Sequence, residues 1–205
     1  VAALPLMVDA TACQRNATLQ VHALQATIDA LKAHIFNNTI WPDFSAMPTA
    51  AAPFIRFQPL VLGQTLLLGG KQVEVLPAVH TVPTVGYAVS AGKGCWVFTG
   101  DTEHNPALWP RLNQLDVRLL FIETAFSNRR RDLAKRSLHL APQSLADELG
   151  CIETGKKYPI YITHAKPAEA QLIMAEIERF DQASPWGAHV AHDIQWLRAG
   201  QAFEL

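Results

Sequence analysis

The chain has 205 residues, of which 49% are hydrophobic and 17% charged, and a formal net charge of -1. A chain of this length buries roughly 70% of its unfolded surface, enough for a full core; the composition excludes intrinsic disorder and collagen-like repeats. The near-neutral balance gives no global basic field, which argues against duplex nucleic acid and anionic membranes as partners.

Cys13, Cys95 and Cys151 are widely spaced, odd in number and form no CxxC pair, so neither a disulfide framework nor a thiolate zinc finger is expected. Unpaired thiols point to the cytoplasm. No apolar run reaches the roughly 18 residues of a membrane span, and no basic region with a cleavage site follows Val1.

With no internal repeat or low-complexity linker, residues 1–205 read as a single domain. Residues 1–10 are apolar and predict a helix. Leu19–Leu24 alternates as a strand, and Ile28, Leu31 and Ile35 recur at helical spacing up to Asn37 and Asn38. Pro, Ala and small polar residues make 41–53 a loop or lid.

Short strands follow at 55–60, 65–68, 71–76, 85–90 and 95–98, punctuated by Gly69-Gly70 and by Gly92 and Gly94, and predict a mostly antiparallel sheet. Asn105-Pro106 can open a helix through Leu115, and 117–122 is a buried strand. A helix from Pro142 ends at Gly150. Residues 158–163 form another buried strand, and Pro167 opens a helix with Leu172, Met174, Ile177 and Phe180 on its apolar face. Strands alternating with helices after a β-rich half predict a layered α/β fold.

Four segments place an ionisable residue where a buried strand ends: Val79-His80-Thr81, Gly100-Asp101-Thr102, Ile122-Glu123-Thr124 and Thr163-His164. The carboxyl edge of such strands is where loops converge on ligands. Imidazoles and carboxylates together suit zinc, iron or manganese. Each residue alone has a plain structural alternative: a hydrogen-bonded histidine, a Gly-Asp-Thr turn in which Asp101 caps an amide, or a salt-bridging glutamate. Four coincident strand endings are harder to explain that way.

In order, Phe98-Thr-Gly-Asp101-Thr, Glu123-Thr-Ala-Phe-Ser-Asn128, Ser137-Leu-His139-Leu-Ala-Pro142 and Ile162-Thr-His164-Ala-Lys-Pro167 resemble the class II cyclic-nucleotide phosphodiesterases. These belong to the metallo-β-lactamase superfamily, near ribonuclease Z. The segments 27–38 and 40–44 resemble the same family. The resemblance implies a four-layer αββα sandwich. It also implies two divalent metal ions, zinc before iron or manganese, with His80 and His164 as ligands of one metal each and Asp101 bridging both.

It further implies His139 as the proton donor near the scissile phosphate and Glu123 as its support. Cyclic AMP, with cyclic GMP left open, is the implied small-molecule substrate, opened to the 5′-nucleotide by a hydroxide that the two metals activate. Ser127, Asn128 and Trp41 are candidate nucleotide contacts. The basic run Arg129-Arg130-Arg131 with Lys135 and Arg136 is either a solvated helix face or an attractor of anionic phosphate. A homodimer is left open.

The superfamily motif His-x-His-x-Asp-His is absent; His189, His192 and Asp193 have different spacing. Relatives place the motif just before an apolar helix like 1–8, so the chain is expected to carry the C-terminal two thirds of the family domain. With two ligands per metal, it should hold only a small part of the about 10–16 kcal/mol of a complete zinc site. The alternatives are a ribonuclease Z-like phosphodiesterase and a catalytically silent binding module.

Overall fold

The structure, a computed structural model, describes residues 1–12, 14–90, 92–182 and 192–204. Cys13 and His189 lie outside the described residues. The chain divides into two compact units, Val1–Val61 and Leu62–Leu205, where the sequence reading took one domain.

The first unit contains α1 (Leu4–Ala12), β1 (Leu19–Leu24), α2 (Gln25–His34) and β2 (Ile55–Leu60). β2, read as part of the mostly antiparallel stretch, instead lies parallel to β1 in a separate two-stranded sheet. A parallel pair needs a crossover, and α2 with the 41–53 loop supplies it. Val8, Leu31, Phe36, Phe44 and Ile55 form the core of this unit. Trp41 packs 6.3 Å from Phe44, centroid to centroid.

The second unit is a seven-stranded sheet in simple sequential order. β3 (Thr65–Leu68), β4 (Lys71–Pro77), β5 (Val85–Ser90) and β6 (Cys95–Phe98) pair antiparallel, as the hairpin glycines predict. Then β6, β7 (Val117–Glu123), β8 (Ile160–Thr163) and β9 (Ile194–Trp196) pair parallel. Two antiparallel steps make β4 run the same way as β6, so β4, β6, β7 and β8 all end at one edge.

Helices α3 (Trp109–Leu112), α4 (Arg131–Arg136), α5 (Pro142–Leu149) and α6 (Ala170–Gln182) complete the unit. Pro142 opens α5, where its missing N–H costs nothing. Leu120, Ile122, Ile160 and Ile162 pack into the main core with Leu145, Leu149, Ile173 and Ile177. Leu119, Phe121 and Tyr161 face the other way, against Trp96 and Phe203.

The predicted helix from Asn105 to Leu115 is only Trp109–Leu112. The Asn105 side chain donates to the Pro77 carbonyl at 2.9 Å, and its backbone N–H donates to the buried Glu148, which holds this segment out of helical geometry. Glu148 is 1% exposed and accepts from Trp109 Nε1 at 2.7 Å and from His104 Nδ1 as well. No sequence pattern marks it. Replacing Glu148 by alanine orphans buried donors and is expected to cost about 2–3 kcal/mol in denaturant unfolding; an unchanged midpoint would contradict this network.

Candidate active site

The loops at the shared strand edge are stitched to one another through their backbones. Thr124 N–H donates to Thr163 O at 3.1 Å, Ala125 N–H to Leu140 O at 3.1 Å, and Lys166 N–H to Ala125 O at 3.1 Å. A loop edge tied this way can hold side chains to the tolerances that catalysis needs.

Asp101 follows β6 by way of Gly100, whose φ of +69° is open to glycine and strained for other residues. A Cβ there would sit 2.7 Å from the Val85 carbonyl oxygen. Gly100→Ala must therefore move the Asp101 turn, and a loss of about 1–3 kcal/mol in thermal or denaturant unfolding is expected. The next residue, Thr102, is buried. Its N–H donates to Glu123 Oε1 at 3.0 Å, and its hydroxyl accepts the Val79 N–H at 3.0 Å. Thr102 thus joins the His80, Asp101 and Glu123 loops, a role the sequence reading did not assign to it.

His80 lies three residues beyond the end of β4, and its Nδ1 is 3.1 Å from the Leu138 carbonyl oxygen. Leu138 has φ +53°, an uncommon conformation for a branched residue. With Nδ1–H given to that carbonyl, the lone pair of His80 is on Nε2. Glu123, the last residue of β7, is 1% exposed. Its Oε1 is 2.6 Å from His139 Nδ1, and its Oε2 accepts the Leu140 N–H at 3.3 Å. His139 is itself 8% exposed, so this is a buried imidazole held by a buried carboxylate.

His164, directly after β8, has φ +61°, and its Nδ1 is 3.6 Å from Asp101 Oδ1. Burial pushes its imidazole below the ordinary histidine value, opposed first by Asp101 and aided by Lys166 and His139. A lowered value keeps the ring neutral, with a lone pair to offer, near neutral pH. The three imidazoles form a row, with His80 and His139 4.7 Å and His139 and His164 5.0 Å apart between ring centroids.

One donor atom from each of His80, Asp101 and His139 lies within 4.8 Å of the others. Two nitrogens and a carboxylate oxygen at this spacing, with two of the rings oriented through Nδ1, fit a divalent metal ion. His164 adjoins this group through Asp101. The structure therefore brings together His80, Asp101, Glu123, His139 and His164.

The other candidates are engaged differently. Ser127 is buried, and its N–H donates to Glu169 at 2.8 Å; Asn128 N–H donates to Glu176 at 2.7 Å, and its Oδ1 accepts the Gln143 N–H at the start of α5. Both residues serve the packing of α5 and α6 in this structure. Burial works to raise the Glu169 carboxyl, but the Ser127 hydrogen bonds and the charges of Arg130 and Arg129 prevail and hold it below the usual range. Arg130 pairs with Glu169 at 2.7 Å, while Arg129, Arg131, Lys135 and Arg136 are exposed. Trp41 belongs to the aromatic cluster of the first unit.

Comparison with known proteins agrees with this architecture. A family model described as cAMP phosphodiesterases class-II matches residues 8–82, a stretch that includes His80. A probable 3′,5′-cyclic-nucleotide phosphodiesterase of Yersinia pestis is 27% identical over 190 residues, 78% of this chain and 54% of that protein.

Among solved structures, unliganded yeast PDE1 superposes with a TM-score of 0.76 at 18% identity, over 96% of this chain and 62% of that one. The metallo-β-lactamase fold protein YhfI of Bacillus subtilis superposes with a TM-score of 0.71 at 14% identity, over 99% and 72%. The short form of human tRNase Z gives 0.57 at 17%, over 82% and 68%. The chain thus spans about half the length of the curated relative it matches. It has a metallo-β-lactamase fold, and the resemblance read from its motifs is borne out. No helix among the described residues is long and apolar enough to cross a membrane.

Proposed function

We propose that this protein hydrolyses 3′,5′-cyclic nucleotides, cyclic AMP first, to 5′-nucleotides. The observation that carries this reading is the buried His139–Glu123 pair standing beside His80, Asp101 and His164 at one strand edge. The family-model match and the name of the Yersinia relative support the substrate class.

His80, Asp101 and His164 are the residues that would hold divalent metal, zinc before iron or manganese. When bound, such ions supply Lewis-acid stabilisation of the charge that builds on the phosphoryl oxygens. The ring opens when water adds its oxygen to phosphorus and the bond from phosphorus to the 3′ oxygen breaks. The departing oxygen needs a proton.

His139 is placed to give it from Nε2, because Nδ1 is turned to Glu123. The Thr102 and Leu140 N–H groups fix the Glu123 carboxylate, so that the imidazole does not turn away. The sum is the addition of one water, with a free 3′ hydroxyl and a 5′ monophosphate as product. Glu123→Gln leaves a neutral amide facing His139 and is expected to lower turnover about tenfold to a hundredfold while preserving the fold.

The deciding experiment incubates the protein and divalent metal with cyclic AMP and, separately, with a precursor tRNA. Formation of 5′-AMP alone is the expected result. Cleavage of the tRNA instead would replace this reading with a ribonuclease Z-like one, and nucleotide binding without turnover would make the protein a binding module.

A further inference from the structure

Lys166 lies two residues after His164, and its backbone is tied to Ala125. It is half-buried, and its Nζ is 3.3 Å from His164 Nε2 and 5.6 Å from the centroid of the Phe126 ring. Phe126 in turn packs edge-on to His139, with centroids 5.8 Å apart. The ammonium therefore stands on an aromatic platform at the end of the imidazole row. Among the described residues it forms no ion pair with a carboxylate, in contrast to Arg130, which Glu169 holds. The exposed Arg129, Arg131, Lys135 and Arg136 make no hydrogen bond to the imidazoles among the described residues.

We propose that Lys166 is the anion contact of this site and binds a non-bridging oxygen of the substrate's phosphate. The inference rests on the phosphodiesterase reading for its substrate, and on geometry for the residue. A half-buried cation that no carboxylate neutralises is an anion site in waiting, and a charge-assisted bond to phosphate is roughly twice as strong as a neutral one. Its present bond to His164 Nε2 is weak competition. A phosphate oxygen bearing negative charge is a stronger acceptor for the ammonium than a neutral ring nitrogen, and Phe126 limits how far the Lys166 side chain strays.

The test measures binding rather than turnover. The affinities of 5′-AMP and inorganic phosphate are determined by calorimetry for the unmutated chain, Lys166→Met, Lys166→Gln and Lys166→Arg. The neutral variants are expected to lose about tenfold to a hundredfold in affinity for both probes, and the arginine variant to recover most of it. In the unmutated chain, the ammonium resonance of Lys166 should shift when phosphate is added, a reading that needs no variant to fold. Neutral variants that bind phosphate as tightly as the unmutated chain would overturn the proposal, as would an ammonium resonance that phosphate leaves in place. Failure of the phosphodiesterase reading looks different: the unmutated chain forms no 5′-AMP from cyclic AMP, while the neutral variants still lose phosphate binding.

Discussion

Replacing Asp101 by alanine is expected to lower cyclic-nucleotide hydrolysis by on the order of a thousandfold or more and to remove most of the bound metal, with little change in folding stability. The separation follows from how the loop is built. The Asp101 carboxylate is about one third exposed, and its ion-pair contact is His164 at 3.6 Å, too long for a hydrogen bond. The turn is instead held by Gly100 and by the two Thr102 hydrogen bonds, none of which uses the aspartate side chain. Removing the carboxylate therefore spares the scaffold and deletes the acidic donor among the proposed ligands His80, Asp101 and His164. Turnover, metal content by elemental mass spectrometry and the unfolding midpoint together check the prediction; near-normal turnover would end the assignment of Asp101 as a ligand.

A second large effect is expected at His139. His139→Ala should slow cyclic AMP hydrolysis by about a hundredfold to ten-thousandfold, the usual range for a lost general acid. The loss should shrink sharply for a phosphodiester whose leaving group is a nitrophenolate, which departs without help from a proton. This contrast separates a chemical role from a structural one. Some structural cost is also expected, because Glu123 loses one of three hydrogen-bond donors in a buried setting; about 1–3 kcal/mol is appropriate. An equal loss on both substrates would show that His139 positions the site and does not protonate the leaving group.

These two residues also show how far the sequence can be read. Asp101 lies in a Gly-Asp-Thr turn whose local chemistry is legible, after a strand that follows from alternation and glycine punctuation; His139, between α4 and α5, is singled out by the family resemblance. The boundaries of the predicted strands in the second unit come out within two residues, because hydrophobic periodicity is a local property of the chain, whereas the short β9 is not predicted. The helix expected from Asn105 to Leu115 shows the opposite case. Its local signals are sound, but the Pro77 carbonyl and the Glu148 carboxylate, both distant in sequence, claim Asn105 first.

Parallel pairing of β1 with β2 likewise depends on a crossover that no residue in either strand announces. The sequence by itself determined the fold class and the resemblance, and it marked His80, Asp101, Glu123 and His164 as strand-end candidates by residue type and local spacing, with His139 added by the resemblance. Only the tertiary structure decided which of them meet, that Glu123 grips His139 while His80 leans on the Leu138 carbonyl, and that Lys166 ends the row with no carboxylate partner among the described residues. Hydrogen bonds reach only about 3 Å, so such partners are chosen by the packing of strands far apart in the chain, which local pattern does not encode.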